Sequence, residues 1–259
     1  MPSNVRITAI IDGKSVPRAQ VQQWEIRRAQ AVLKKFISRI GQRAIAEIAP
    51  NLDLEAVQNA GLDARREALL TLKTGLGHAG IYAMLRHELA LSERISRAAV
   101  AVSPGRTARS VTRIVANGCS AESFSAWFNN LTAANDEVNM VDAMADHYLL
   151  RGLPDGRQEV VETTGGSPAA TRFLVDYTLT DALSTPADPA YPIQIAGQAL
   201  LDDGLVIGGV RHQLRDRDGA MEALLTVEFP AVTPPNLIAA HRWHLAVEFS
   251  NWIVAAQAN

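Results

Sequence analysis

The sequence predicts an α+β chain, an antiparallel sheet wrapped on a long C-terminal helix and preceded by a mainly helical N-terminal region. Three observations predict it. Residues 17–100 are rich in Ala, Gln, Arg and Leu at helical spacing. Residues 105–230 break into short β-rich segments divided by turn formers. After Pro234-Pro235 comes one long helical stretch.

Taken in order, VRITAII reads as a strand ending at the turn dipeptide Asp12-Gly13, and Pro17 opens a helix that ends by Pro50. Within it Trp24, Ala31 and Phe36 alternate with Arg27, Arg28, Lys34 and Lys35, the pattern of a helix with one solvated face. A second helical run covers about Asp63 to Val100, with Gly75, Gly77 and Gly80 as candidate break points. Ser103-Pro104-Gly105 then interrupts the helices, which divides the chain into a helical region over 1–104, a solvated bundle or else a dimer interface or lid over a site, and a second region over 105–259. RSVTRIVANG reads as a strand and SAESFSAWF as a short helix with Ser120 as N-cap. The segments HYLLRG, RQEVVETT, TRFLVDYTL, YPIQIAGQALL, GLVIGGVRHQLR and AMEALLTVEFP follow. Pro154-Asp155-Gly156, Gly165-Gly166, a Pro-rich loop, Asp202-Asp203-Gly204 and Asp218-Gly219 separate them as hairpin-type turns. That amounts to about seven strands, followed by an amphipathic helix from about Asn236 to Ala256. A curved antiparallel sheet needs an apolar cover, and only the terminal helix is long enough to supply it. This is a helix-grip arrangement, with a cavity expected between sheet and helix.

Composition narrows the function classes. The chain has 259 residues, 47% of them apolar, and 25 basic against 27 acidic residues, so nothing in its net charge favours nucleic acid or an anionic membrane surface. A single cysteine, Cys119, excludes an intramolecular disulfide and any zinc-cluster spacing, which makes a reducing cytoplasm the expected compartment. The opening MPSNVRITAII lacks the pattern of a signal peptide, and no apolar run reaches membrane-spanning length. The glycine pairs 165–166 and 208–209 lack the strand-turn-helix context of a nucleotide loop, and no Gly-x-Ser-x-Gly elbow is present.

The chemistry-bearing residues concentrate in the second region. His147, His212, His241 and His244 all lie there, and the terminal helix reads AAHRWHLAVEFSNW. His244 and Glu248 are one helical turn apart and can converge on one ion. His241 and Asn251 share the broad face that carries Leu237, Leu245 and Trp252, while Arg242, Ala246 and Ser250 point away. A carboxylate on a covered face calls for a cation, either an Arg partner or a metal. In GLVIGGVRHQLR, alternation groups His212 with Val206, Gly208, Val210 and Leu214, which aims it at the expected cavity. His147 starts a strand after Asp146, and in the next strand Glu162 lies with Gln158 and Val160, opposite Glu159, so one or the other carboxylate faces inward. Two His and two carboxylates suit zinc, with manganese or iron as hard-metal alternatives. Tyr148, Tyr177 and Tyr191 are candidate hydrogen-bond partners for a phenolic ligand.

Several motifs, in one order, resemble the diacetylphloroglucinol hydrolase and phloretin hydrolase family of carbon-carbon hydrolases. Gly118-Cys119-Ser120-Ala121-Glu122 and Trp127-Phe128 resemble that family's helix start and aromatic pair. Asp146-His147 resembles its Asp-His before a strand, though Asp142-Ala143-Met144 replaces the family's Trp-His-Pro. His212 with Arg215, followed by Asp218-Gly219, resembles its His-x-x-Arg and turn, and His244, Glu248 and Asn251 match its terminal helix. The strand MEALLTVEFP lacks the family's aromatic and arginine residues. The resemblance covers about residues 105 to 259 and implies a START-like helix-grip fold and a helical N-terminal part used in homodimerisation. It also implies a zinc site of His147, Glu162, His244 and Glu248, Glu162 being preferred to Glu159, with His212 facing the substrate. The implied activity is metal-dependent hydrolysis of an acylated phenolic or β-diketone-like small molecule by a retro-Claisen route. Two other readings suit the same fold: a helix-grip protein that binds a hydrophobic small molecule unchanged, and a metal-free polyketide cyclase or aromatase in which His212 serves as acid-base group.

Overall fold

A computed structural model describes residues 5–258; the first four residues, part of the stretch read for a signal peptide, lie outside the described residues. Strands β1 (Arg6–Ile11) and β2 (Lys14–Pro17) form a hairpin whose turn residues Asp12 and Gly13 both take positive φ, 51° and 74°, as a tight two-residue hairpin requires. Pro17 is at once the last strand residue and the N-cap of α1 (Arg18–Ile48). After α2 (Leu54–Asn59), capped by Asp53, α3 (Leu62–Val102) runs to the Ser103-Pro104-Gly105 break. Both long helices contain one non-helical glycine, Gly41 in α1 and Gly77 in α3.

The rest of the chain is β3 (Thr107–Asn117), α4 (Ala121–Ala134), α5 (Glu137–Asp142), β4 (His147–Gly152), β5 (Gln158–Glu162), a single tight turn at Thr164–Gly166, β6 (Thr171–Asp176), β7 (Ile193–Leu200), β8 (Val206–Arg217), β9 (Ala220–Pro230) and α6 (Pro235–Ala256). Ser120 caps α4 through Ser123 N at 3.1 Å, and Asp216 at the end of β8 accepts from Ala121 N at 2.9 Å. The chain is therefore α+β, with a nine-stranded sheet and six α-helices among the described residues. Strand order is β2-β1-β3-β9-β8-β7-β6-β5-β4, antiparallel throughout. The expected meander is the run β4 to β9. The two strands that precede α1 join the same sheet through β1 and β3, so the sheet draws on both sides of the break at 103–105.

Helix α6 departs from the amphipathic expectation. Its inner side packs Leu245, Phe249, Trp252 and Ile253 with Ile114, Leu214 and Leu225 of the sheet and Phe124 and Phe128 of α4. Its other side is covered as well: Ala246 and Val247 meet Ala9, Ile11 and Val16 of the hairpin and Val21 of α1. With both sides covered, the middle of the helix has no solvated stripe, and even Ser250 is buried.

The helical layer has its own core, Phe36, Leu69, Leu72 and Leu85 against Tyr148 and Val161 of β4 and β5. Lys73 of α3 is buried at its edge, and its ammonium donates to Met144 O at 3.3 Å. Burial lowers its pKa from 10.5 to about 7, against the pull of Asp142 and Asp146. Between those values the unfolded chain holds a proton that the folded chain sheds, so this group makes stability rise with pH; its penalty is fully present below pH 7. Lys73→Met should therefore be more stable than the parent at pH 7, with the gap closing toward pH 10. Urea midpoints at pH 7, 8.5 and 10 check this, and a gap that does not change with pH would refute it.

Candidate metal centre

Three local features bring the site together. Register puts His147 directly opposite Glu162 across β4 and β5, and a bulge between His147 and Leu149 follows at once, bending the strand beside the site. Helical spacing stacks His244 under Glu248 on α6. The turn at Thr164–Gly166 packs α6 against the end of β5, with Gly165 lying against Leu237 O and His241 N.

As a result His147, Glu162, His244 and Glu248 meet in the interior. His147 Nε2 lies 3.2 Å from His244 Nε2, 3.3 Å from Glu248 Oε1 and 3.6 Å from Glu162 Oε2, and His244 Nε2 lies 3.6 Å from the same Glu162 oxygen. A tetrahedral ion with bonds of about 2.0–2.2 Å holds its donors about 3.3–3.6 Å apart, so these separations suit one ion at the centre. Among the described residues, His147, Glu162 and His244 form the group whose donors all lie within 4.8 Å of one another. Glu248 approaches the group through His147, and like Glu162 and His244 it lines the cavity. His147 Nδ1 sits 3.2 Å from Met140 O; with the proton on Nδ1 that contact leaves the Nε2 lone pair facing the cluster.

The electrostatics point the same way. Burial first, then Glu248 and Asp146, push the Glu162 carboxyl up to about 7. Burial would lower the His147 pKa, but its hydrogen bond with Glu248 and the charges of Glu248 and Glu162 outweigh that and raise it. His244 is driven well below its usual value by burial and by the neighbouring His241 and His147. Among the described residues, no Lys or Arg pairs with Glu162 or Glu248, whose ion-pair partners are histidines. Two buried carboxylates without a Lys or Arg partner draw positive charge to this point: they raise the pKa of His147, while His244 stays neutral, and a divalent ion would meet the same need. A group of His147, Glu162 and His244 can hold a metal.

The remaining expected residues are placed as follows. Glu159 faces the opposite side of β5, where it accepts from Arg151 at 2.8 Å, from Tyr82 at 2.5 Å and from Arg172. Glu162 is thus the inward carboxylate of the two. His212 lines the cavity, with its ring against Phe249 at 4.8 Å between centroids and its Nδ1 without a partner. Asn251, two turns beyond His244, has passed the cavity: it accepts from Arg18 at 3.0 Å and donates to Glu25 at 3.0 Å and Ala143 O at 2.8 Å. Of the three tyrosines only Tyr177 lines the cavity, its hydroxyl donating to Gln158 at 2.9 Å; Tyr148 stacks on Phe36, and Arg215 lies over Tyr191. Burial pushes the Cys119 thiol up to about 11, which leaves it unreactive.

Two contributors were not singled out as site residues. His241 also lines the cavity, stacks on His244 at 4.8 Å and has an unpartnered Nδ1; its position one helical step before His244 was the signal available. Arg28 grips Asp146, the residue before His147, through two bonds of 2.8 and 2.7 Å, and no local pattern links residues that far apart. Burial lowers the pKa of both His212 and His241 to about 3, so both are neutral bases where they line the cavity.

The cavity between sheet and α6 measures about 610 Å³ and is lined by Glu162, His244, Glu248, His212, His241 and a majority of apolar side chains. Among the described residues no helix is long and apolar enough to cross a membrane. No protein-family model and no curated protein matches the chain. Among solved structures it is similar to protein Ms6760 from Mycobacterium smegmatis, at 14% identity and a TM-score of 0.32, covering 57% of this chain and 89% of that one.

Proposed function

We propose that the protein is a metal-dependent hydrolase with a START-like helix-grip fold, cleaving the carbon-carbon bond between an acyl group and an electron-rich phenolic or β-diketone-like carbon. The observation that carries this reading is the cluster of His147, Glu162, His244 and Glu248, buried, without a Lys or Arg partner and open to a ligand-sized cavity. His147, Glu162 and His244 would hold the ion, zinc by the resemblance, with manganese or iron as alternatives. Such an ion supplies Lewis acidity, polarising a carbonyl and making water a better nucleophile near neutral pH. Three compact donors with Glu248 set to one side favour a site with a free position, the pattern of catalytic rather than structural zinc.

The chain's own residues then divide the work. Water adds to the acyl carbon, the bond to the ring or enol carbon breaks, and that carbon takes up a proton, giving a carboxylic acid and the deacylated compound. Glu248, on the cavity side, is placed to take the proton that water gives up. His212 is neutral and carries an open ring nitrogen, so it serves as a relay: its N–H hands a proton to the departing carbon, and the proton that water gave to Glu248 restores the imidazole, which leaves both groups as they began. Lys and Arg are absent from the cavity lining among the described residues, which favours a neutral ketone or phenol over a phosphorylated substrate.

The test is metal content by plasma emission after dialysis against a weak chelator. The parent protein should retain about one divalent ion per chain, and His244→Ala and Glu162→Ala should lose it while keeping the parent's circular dichroism. The loaded parent should hydrolyse acylphloroglucinols or β-diketones, and His212→Phe should hold metal yet lose at least about 100-fold in kcat. A parent that holds no metal and takes up no added zinc, manganese or iron refutes the reading and leaves metal-free ligand binding or cyclisation.

A further inference from the structure

The cavity has a polar end and an apolar end. The lining side chains with unpartnered buried polar atoms are His212, His241 and His244, each through Nδ1. Three polar side chains elsewhere in the lining already have partners: Ser92 donates to Ala170 O at 2.8 Å, Tyr177 donates to Gln158 at 2.9 Å, and Glu228 accepts from Ser184 N at 3.1 Å. From the cluster the lining follows α6 back through Leu237 to its first residues, and His244 stands about 14 Å of helix from Pro235. Along β8 the lining likewise runs from His212 down to Ile207, about 16 Å of strand.

At that far end the wall is made by α3 and by the connection between β9 and α6. The lining residues exposed to solvent there are all apolar. Ile95, Val102 and Val232 are 57%, 62% and 47% exposed, and Ala98 and Pro234 stand beside them. A compact acetylated ring bound at the cluster would leave this outer section as water against apolar walls, whereas an alkyl chain would remove both surfaces from water.

We propose that the ketonic substrate carries a long unbranched acyl or alkyl chain, which runs from the His–Glu cluster along α6 and leaves the cavity between Ile95, Val102 and Val232. This rests on the hydrolase reading for the identity of the polar head; the chain-binding channel itself is independent of metal.

The experiment is calorimetric titration with acetyl-, hexanoyl- and decanoylphloroglucinol, on protein as purified and again after chelation. Each buried methylene tightens binding about fourfold at best, so decanoyl should bind at least about 100-fold more tightly than acetyl in both states. Ile95→Asp and Val102→Asp change exposed positions and leave folding intact. Each should weaken decanoyl about tenfold or more without changing acetyl. Affinity that is flat or falling with chain length, rim variants that leave decanoyl unchanged, or no binding by any of the three overturns the channel. Chain-length dependence in a protein that holds no metal would uphold the channel and refute the hydrolase, whereas metal and hydrolysis with flat chain-length dependence would refute the channel alone.

Discussion

Arg28→Met should destabilise the protein by about 3–5 kcal/mol, the usual cost of leaving one member of a buried ion pair alone. Asp146 is fully buried and takes both its strong bonds from the Arg28 guanidinium, at 2.8 and 2.7 Å. Met retains much of the aliphatic stem's packing but offers no donor, so the carboxylate must take a proton or draw in water. Asp146 O also accepts from Thr163 N at 3.0 Å, and Arg28 packs on Gly166, so one ion pair ties α1, the start of β4 and the turn after β5 together. Because His147 follows Asp146 and Glu162 precedes Thr163, loosening this junction should weaken metal retention as well as stability.

The double variant Arg28→Met, Asp146→Leu separates the charge from the packing. Replacing both members of a buried pair by apolar residues is often neutral, so the double variant should recover more than half of the loss. Urea unfolding of the parent, the single variant and the double variant measures it. A single-variant loss below about 1 kcal/mol would mean that Asp146 finds another partner, with Lys73 the cation nearby.

Much of the fold follows from local chemistry. Asp-Gly dipeptides at 12–13, 155–156 and 218–219 sit in turns, with Gly13, Gly156 and Gly219 at positive φ, so the hairpin boundaries could be read directly. β2 could not, because its four residues run straight into α1 and Pro17 belongs to both. The six-residue α5 is likewise too short for helical periodicity to register. What no local pattern carries is the pairing of β1 with β3 and the covering of α6 by α1 and the hairpin, contacts between segments far apart in the chain. For the same reason α6 read as amphipathic: its outer face, with Ala246 and Ser250, is small and mildly polar, and tertiary contacts rather than solvent cover it.

The candidate site was legible to a different degree at each residue. His244 and Glu248 needed only the helical repeat, and His212 only the strand alternation. Alternation separates Glu159 from Glu162 but does not say which face is inward. The difference lies in their partners, Arg151, Arg172 and Tyr82 for Glu159 against two histidines for Glu162. Arg28 reaches the site only through the packing of α1 on β4, whereas the local pattern alone places it on a solvated helical face.

Gly165→Ala should be strongly destabilising for the addition of a single methyl group. Gly165 has φ +54°, a conformation that costs a residue with a side chain about 1–2 kcal/mol. A Cβ there would stand 2.4 Å from Leu237 O and 3.1 Å from His241 N, and backbone atoms cannot turn aside as a rotamer can. Either α6 or the turn must move, adding about 1–3 kcal/mol of overpacking. Gly13 supplies the control, since it too has positive φ, +74°, but nothing lies within 4 Å of its would-be Cβ. Gly13→Ala should lose only the conformational cost, and Gly165→Ala roughly twice that or more, by urea unfolding. The displaced turn also carries Thr164, which donates to Glu162 at 3.3 Å, so metal affinity should fall at least about tenfold in Gly165→Ala and stay unchanged in Gly13→Ala. Equal losses in the two variants would mean that the turn yields without moving α6, and that the contact between them does not hold Glu162 in place.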